Sequence, residues 1–187
     1  MKRHNVLHTD ATGTSSSRIL IVYYSRKGEN YAPGGVQNLA IGHTARMAQY
    51  IADVSHGDLY EIQTVKAYPS NYRETTRVAE SELSLGVKPE LWGSMPDISN
   101  YDIIFLGHPI WWSQLPPAVS SFLDKVNLSG KKVAQFCTHA GSGFGSSLQQ
   151  LKTAHPNATF LETLAITGTT VSESRPRIES WVKKTLK

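Results

Sequence analysis

Short apolar segments recur along the chain and predict the strands of a sheet. Residues 18–25 and 101–107 are almost continuously apolar, which is typical of strands covered on both faces. Residues 131–138 and 159–166 are also short, rich in β-branched or aromatic side chains and bounded by turn-forming residues. In residues 58–65, apolar and polar positions alternate instead, which predicts a strand at the edge of the sheet.

Segments with apolar residues three and four positions apart lie between these strands and predict helices. Residues 43–55 carry such a stripe, and residues 116–126 begin with prolines, which a first helical turn tolerates. Residues 71–86 are more polar and predict a looser surface helix, while residues 144–155 and 172–186 complete the set. Parallel strands need crossover connections, which are usually helices, so the alternation predicts a parallel α/β sandwich.

The length and composition indicate one globular domain. The 187 residues can bury a sizeable core, and the early run of Ser, Thr and Gly predicts a flexible tail over residues 1–17, with the domain over residues 18–187. Apolar runs stay far below the roughly 18 residues that span a bilayer, and the start lacks the apolar core of a secretory signal. We therefore expect no association with a membrane.

The cysteine count and the charge distribution further limit the class of protein. One cysteine, Cys137, excludes an internal disulfide and fits a reducing cytoplasm, and its apolar surroundings predict a buried, inert thiol. The net charge is +4, but the basic residues are scattered along the chain. A nucleic-acid binder would usually show a basic stripe interleaved with aromatic residues, so we expect no nucleic-acid partner.

In a parallel sheet the loops that follow the strands emerge at one edge, where ligands bind. The first such loop, residues 25–48, is rich in glycine, hydroxyl and amide groups and runs into a helix N-terminus. Backbone N–H groups and the helix dipole there favour an anion, and Ser25, Asn30 and Thr44 could add hydrogen bonds. The loop matches neither the Walker pattern nor the dinucleotide fingerprint, which leaves a phosphate cradle or a capped surface loop.

Two further loops belong to the same edge. Trp111 and Trp112 follow the middle strand, where flat aromatic rings can cover a planar ligand. Adjacent residues of an extended loop point in opposite directions, so we expect one ring to face the ligand and the other to face protein. Residues 137–148 contain three glycines, whose backbone amides could donate to carbonyl groups of a ligand ring.

The motifs "YYSRKGENY…GHTARMA", "GHPIWWSQLPPAVSSFL" and "THAGSGFGSS" together resemble the flavodoxin family, in particular variants with an extended phosphate loop. The resemblance covers residues 18–186 and implies a flavodoxin-like three-layer sandwich. It also implies a five-stranded parallel sheet in order 2-1-3-4-5 with FMN at the switch point between strands one and three. The alternating segment 58–65 suits the edge position in that order.

The resemblance also implies a set of FMN-binding residues. It implies Ser25, Lys27, Asn30, His43, Thr44 and Ala45 around the phosphate; Pro109, Ile110, Trp111 and Trp112 along the isoalloxazine and ribityl chain; and Thr138, His139, Gly141, Gly143 and Phe144 on the other side. An apolar wall of this kind disfavours extra negative charge on a reduced flavin and so tunes its potential.

Two redox functions are compatible with these residues. The first is an FMN-dependent oxidoreductase that takes hydride from NAD(P)H and reduces quinones or similar small acceptors, with no catalytic acid or base required from the protein. The second is a non-enzymatic electron carrier that serves a redox partner protein. The net positive charge slightly favours the enzyme, although a basic carrier could be steered to an acidic partner.

Other classes fit less well. His43, His108 and His139 fall at the same edge and could bind a metal, but no carboxylate accompanies them in these motifs, so we expect no metal. A Ser-His hydrolase lacks the G-x-S-x-G nucleophile elbow. An interaction module that has lost flavin stays open, as does a homodimer in which a second subunit completes a substrate pocket.

Overall fold

The computed structural model describes residues 17–32 and 34–187. The predicted tail, residues 1–17, lies outside the described residues except for Ser17. The elements in chain order are β1 (Ile19–Tyr23), β2 (Gly28–Ala32), β3 (Gly35–Leu39), α1 (His43–Ser55), β4 (Asp58–Glu61), α2 (Tyr72–Leu85), β5 (Ile103–Pro109), α3 (Pro117–Leu123), β6 (Lys132–His139), α4 (Ser147–Ala154), β7 (Thr159–Phe160), β8 (Leu164–Thr167) and α5 (Arg175–Thr185).

The main sheet is parallel and confirms the predicted order. β4 lies at one edge, followed by β1, β5 and β6, and both β7 and β8 pair with the far side of β6. The fifth predicted strand is therefore split into two short pieces along one neighbour. β4 is shorter than predicted, because the chain leaves β1 after it and Thr64 pairs antiparallel with Leu91 instead.

The two faces of the sheet carry separate apolar clusters, as the continuous apolar runs indicated. Ile104 and Leu106 of β5 point into a cluster with α3 and α4. Ile103 and Phe105 of the same strand point into the opposite cluster with α1 and α5. This burial on both faces fixes β1, β5 and β6 in the centre, so the loops that follow them are held on a rigid base. None of the described helices has the length and apolar character needed to cross a membrane.

Helix α2 is more regular than its polar sequence indicated. Asn71 caps it by accepting a hydrogen bond from the N–H of Glu74, and Gly86 ends it in the left-handed conformation. Its buried positions are the small residues Thr75 and Ala79, which give a weak apolar signal in the sequence. Small side chains on that face leave room for the cavity described below.

Gly107 in β5 provides a test of how tightly the sheet core is packed. It pairs with Phe136 of β6, and a Cβ atom at Gly107 would lie 2.0 Å from Cζ of that fully buried ring. We expect Gly107→Ala to lower the free energy of unfolding by about 2 kcal/mol, because the ring has to move within a close-packed core. Urea unfolding of the two proteins measures this loss.

The matched background for this test is Phe136→Leu. When the aromatic ring is removed, the cost of Gly107→Ala should fall below about 1 kcal/mol, because the two sites are directly coupled. An equal cost in both backgrounds would show that the clash with the ring is not the cause.

Candidate functional site

A cavity of about 400 Å³ opens at the carboxyl edge of the sheet, a volume typical of small-molecule sites. The β1–α1 segment, helix α2 and the loops after β5, β6 and β8 surround it. Its lining residues are Ser25, Arg26, Asn30, Tyr31, His43, Thr44, Tyr72, Thr75, Thr76, Ala79, Pro109, Ile110, Trp111, Trp112, Thr138, His139, Ala140, Gly168 and Thr169.

The cavity brings together ten of the residues predicted from sequence. These are Ser25, Asn30, His43, Thr44, Pro109, Ile110, Trp111, Trp112, Thr138 and His139. Lys27, Ala45, Gly141, Gly143 and Phe144 lie outside its lining. Their roles as cofactor ligands stay predictions.

The N-terminus of α1 forms one end of the cavity. Gly42 occupies the N-cap and has no side chain that could cap the helix, and the first turn of α1 contains no acidic residue. The hydroxyl of Ser25 accepts a hydrogen bond from the N–H of Ala45 at 3.0 Å, and the hydroxyls of Thr44 and Thr138 are 2.8 Å apart. The backbone N–H groups of a helix start, the helix dipole and these hydroxyls together favour a bound anion.

The segment between β1 and α1 contains an antiparallel hairpin, β2–β3, which the sequence did not predict. The Asn30 amide donates to the carbonyl oxygens of Arg26 and Gly28, so its protons stabilise the base of the hairpin. His43 Nε2 donates to the carbonyl oxygen of Tyr31 at 2.5 Å and ties the hairpin to α1. Lys27 is exposed. Two of the predicted phosphate ligands thus also position the loop itself.

Trp111 packs against protein on one side. Its ring contacts Tyr24 and Tyr68 edge-on, with centroid distances of 5.5 and 5.0 Å. Burial raises the pKa of both tyrosine hydroxyls, and that of Tyr68 donates to Glu82 at 2.5 Å. These contacts fix the indole ring as a rigid wall of the cavity.

Trp112 sits at the tip of a tight turn with unusual backbone geometry. Trp111 and Gln114 exchange two backbone hydrogen bonds, and the central residues Trp112 and Ser113 have φ values of 49° and 61°. Such turns normally use Asn-Gly, and a bulky residue in this conformation costs on the order of 1 kcal/mol. The Trp112 indole N–H donates to the carbonyl oxygen of Thr76, while 54% of the residue stays exposed. The strained backbone of this turn therefore places the Trp112 ring at the mouth of the cavity.

His139 and the glycine loop after β6 form the opposite side. Nδ1 of His139 accepts a hydrogen bond from the N–H of Gly141, so the proton of the neutral ring is on Nε2. Burial holds the pKa of His139 below its ordinary value, which keeps the ring neutral at neutral pH. The N–H and hydroxyl of Ser146 donate to the carbonyl oxygen of Ser113, which joins this loop to the tryptophan turn.

The three edge histidines do not converge on a common point. His43 bonds to Tyr31, His139 bonds to Gly141, and the fully buried His108 accepts the amide of Gln135 at 2.7 Å. In the part of the chain that the structure describes, no group of three or more His, Cys, Asp or Glu side chains could hold a metal ion. Burial raises the pKa of Cys137 to about 12, so the thiol stays protonated.

Several lining residues were missed by the sequence analysis. Arg26 precedes the unpredicted hairpin, and Tyr31 belongs to it. The remaining missed residues are Tyr72, Thr75, Thr76 and Ala79 of α2 and Ala140, Gly168 and Thr169 of the other loops. Gly168 lies so close to the imidazole of His43 that a Cβ there would be 2.8 Å from Cδ2. The glycine in "TGTT" was the one sequence signal of that close approach.

Comparison with known proteins shows what the chain is similar to. A family model described as Flavodoxin matches residues 37–185. No curated protein sequence matches the chain. A candidate flavoprotein from Bacteroides eggerthii DSM 20697 is 28% identical, with a TM-score of 0.69 and coverage of 90% of this chain and 98% of that one.

Two more distant structures share the fold. A flavoprotein in complex with FMN from Lactobacillus acidophilus NCFM is 20% identical, with a TM-score of 0.60 and coverage of 84% of this chain and 97% of that one. An NADH:FMN oxidoreductase in its apo form is 11% identical, with a TM-score of 0.51 and coverage of 91% of both chains.

Proposed function

The chain belongs to the flavodoxin family, and we propose that it is an FMN-dependent oxidoreductase that takes hydride from NAD(P)H and reduces a quinone or a similar small acceptor. FMN is the cofactor, as supported by the family and by the FMN-bound Lactobacillus structure of the same fold. NAD(P)H as the donor and a quinone as the acceptor are both parts of this proposal, and the shape and charge of the cavity bear on the acceptor.

The residues of the cavity fit FMN. The α1 N-terminus with Ser25 and Thr44 would hold the phosphate, and Gly42 leaves the space, because a Cβ there would lie 2.4 Å from Ser25 Oγ. Trp111 and Trp112 would border the ring, with backbone held by the turn that they share. The donors at this edge are neutral, which suits the uncharged isoalloxazine.

The protein contributes binding, orientation and exclusion of water. FMN, when bound, supplies the capacity to accept a hydride and to pass electrons on. Trp111, fixed by Tyr24 and Tyr68, keeps one wall apolar, and His139 presents a neutral Nε2–H. None of these groups needs to change its protonation state for this role.

One observation favours an enzyme over a carrier. The cavity extends past the predicted FMN residues to a second wall formed by Tyr31 and by Tyr72, Thr75, Thr76 and Ala79 of α2. A carrier that exchanges electrons with a protein needs only an accessible cofactor edge, whereas an enzyme also needs a site for a small substrate. The shared fold with an NADH:FMN oxidoreductase is compatible with this interpretation.

The second candidate is an electron carrier for a partner protein. The net charge of +4 would steer it towards an acidic partner, and the exposed Trp112 could lie in the contact surface.

Anaerobic turnover of the FMN-loaded protein separates the two functions. We expect NADH or NADPH to be oxidised only when 2-methyl-1,4-naphthoquinone is added, at a rate at least about tenfold above that of free FMN, since the protein orients both reactants. A protein that binds FMN and is reduced by dithionite, but does not oxidise either nucleotide, would contradict the enzyme and favour the carrier. A protein that does not retain added FMN would contradict both.

A further inference from the structure

The second wall of the cavity comes from parts of the chain that supply none of the predicted FMN ligands apart from Asn30. We call Tyr31, Tyr72, Thr75, Thr76 and Ala79 the α2 wall. Tyr31 extends from strand β2, and the other four lie on consecutive turns of α2. The wall therefore depends on how the hairpin is fixed to the helix.

That attachment is specific and involves charged groups. The Glu29 carboxylate accepts hydrogen bonds from the Asn71 amide at 2.9 Å and from the backbone N–H of Tyr72 at 2.8 Å. The Arg26 guanidinium donates to the carbonyl oxygens of Pro69 and Ser70, at 2.9 and 3.0 Å, and to that of Glu29. Two oppositely charged side chains, one just before the hairpin and one within it, thus hold the start of α2.

The attachment brings two aromatic rings together at the cavity. The rings of Tyr31 and Tyr72 meet edge-on with centroids 4.9 Å apart. Tyr31 is 48% exposed, so about half of this residue is not covered by other parts of the protein and can contact a ligand. Burial raises the pKa of Tyr72, so its hydroxyl stays protonated and can donate a hydrogen bond. Flat apolar faces beside a neutral donor suit a planar ligand with carbonyl oxygens.

The charge of the cavity narrows the choice of ligand. Within residues 17–32 and 34–187, Arg26 is the only lysine or arginine that lines it, and its guanidinium is already bonded to three backbone carbonyls. A nicotinamide dinucleotide carries a pyrophosphate that needs cations or a helix N-terminus, and α1 provides its N-terminus for the phosphate of FMN. The α2 wall therefore suits an uncharged ligand better than a dinucleotide.

We propose that the α2 wall is the subsite for a neutral quinone, held against Tyr31 and Tyr72 with the Tyr72 hydroxyl donating to one quinone oxygen. This inference rests on the proposed oxidoreductase function and names the residues that select its acceptor. In the overall reaction, NAD(P)H, one solvent proton and the quinone give NAD(P)⁺ and the hydroquinone. The quinone gains two electrons and two protons, and NAD(P)H loses one hydride.

Kinetics of the FMN-loaded protein test the assignment. Tyr31→Leu and Tyr72→Leu should each raise the KM for 2-methyl-1,4-naphthoquinone about tenfold, since each removes an aromatic face. Tyr72→Phe should raise it about threefold, because one hydrogen bond is lost. Reduction of ferricyanide, which is charged and not planar, and the KM for NADH should change by less than about twofold. The matched control is Tyr101→Leu, because Tyr101 precedes β5 and therefore lies at the end of the sheet opposite the cavity.

The outcomes are separable. An unchanged KM for the quinone, or an equal rise in the KM for NADH, would show that the α2 wall is not a quinone subsite. Either result would overturn this proposal, but the proposed oxidoreductase function would still stand. Loss of FMN in Tyr31→Leu would show that the wall belongs to the cofactor site. If Tyr72→Leu fails to fold, Tyr31→Leu and Tyr72→Phe still decide the question.

A measurement of quinone binding at equilibrium tests the subsite without requiring turnover. Calorimetric titration of the oxidised, FMN-loaded protein with 2-methyl-1,4-naphthoquinone should show binding that Tyr31→Leu weakens about tenfold. If the wild-type protein binds this quinone but does not oxidise NAD(P)H, the proposed function fails and the subsite stands. If it neither binds nor turns over the quinone, both fail.

Discussion

Gly42→Ala is expected to raise the dissociation constant for FMN by about a hundredfold or more. Gly42 is the N-cap of α1, and a Cβ there would lie 2.4 Å from both the carbonyl oxygen of Arg26 and the hydroxyl of Ser25. At that distance the Cβ would overlap the backbone of Arg26, which cannot move without a change of the loop conformation. The turn between β1 and α1 would therefore have to open. The Ser25 hydroxyl and the helix N–H groups would then no longer point to a common phosphate position.

Riboflavin provides the control ligand for this prediction. It has the same ring but no phosphate, so Gly42→Ala should change its affinity by less than about fivefold. Ile41→Ala serves as the control variant, because Ile41 is exposed and the change adds no atoms to the turn. Equal losses for FMN and riboflavin would indicate a general collapse of the cavity, and an unchanged FMN affinity would remove the phosphate from the α1 N-terminus.

Much of the fold could be predicted because its central elements are defined by local patterns. The stripe in residues 43–55 predicted the bounds of α1, and the continuous runs at β1 and β5 predicted strands buried on both faces. The alternation in residues 58–65 predicted the edge position of β4, although not its early end. A sheet with helices on both faces leaves few arrangements for such elements.

The β2–β3 hairpin could not be predicted in the same way. Its strands, "GENYA" and "GVQNL", are short and lack a regular alternation of apolar residues. Long-range hydrogen bonds hold it in place: Arg26 donates to the carbonyl oxygens of residues 69 and 70, and Glu29 accepts from residues 71 and 72. Partners about 40 residues apart leave no periodic signal. The helix α2 was predicted, but the hairpin and its attachment to α2 were not, and the α2 wall was missed with them.

The tryptophan pair shows a similar limit within the site. Sequence reasoning expected one ring to face protein and one to face the ligand, and the structure has Trp111 packed on Tyr24 and Tyr68 and Trp112 more exposed. Both rings line the cavity, however, because the turn gives Trp112 and Ser113 positive φ values. The sequence has no Asn-Gly pair that would predict this turn. The turn is stabilised instead by hydrogen bonds to residues in other elements, including Thr76.

A buried histidine behind the site contributes to how the stability of the protein depends on pH. His108 is fully buried; its Nδ1 donates to the carbonyl oxygen of Pro109 and its Nε2 accepts from the amide of Gln135. A second proton on Nε2 would face that amide N–H₂ group at 2.7 Å. Gln135 Oε1 is buried without a hydrogen-bond partner in the part of the chain that the structure describes. The pocket is thus built for the neutral imidazole, and burial lowers the pKa of His108 to about 4.

The wild-type protein should therefore lose about 3 kcal/mol of unfolding free energy through His108 between about pH 7.5 and about pH 4. The folded-state pKa lies below the unfolded value of about 6.5, so the unfolded chain binds more protons in this interval and stability falls as the pH decreases. His139 and His155, whose pKa values are also lowered by burial, act in the same direction.

Variants isolate the contribution of His108. Urea unfolding at several pH values should show a shallower decline for His108→Gln, by about 3 kcal/mol over the same interval, whatever its stability at neutral pH. His56→Asn is the control, because His56 is an exposed helix cap with a φ of 54° that asparagine tolerates. It should keep the wild-type pH dependence. If His108→Gln declines as steeply as the wild type, the low-pH loss arises from other groups, and Nε2 of His108 must be able to hold a proton in the folded protein at little cost.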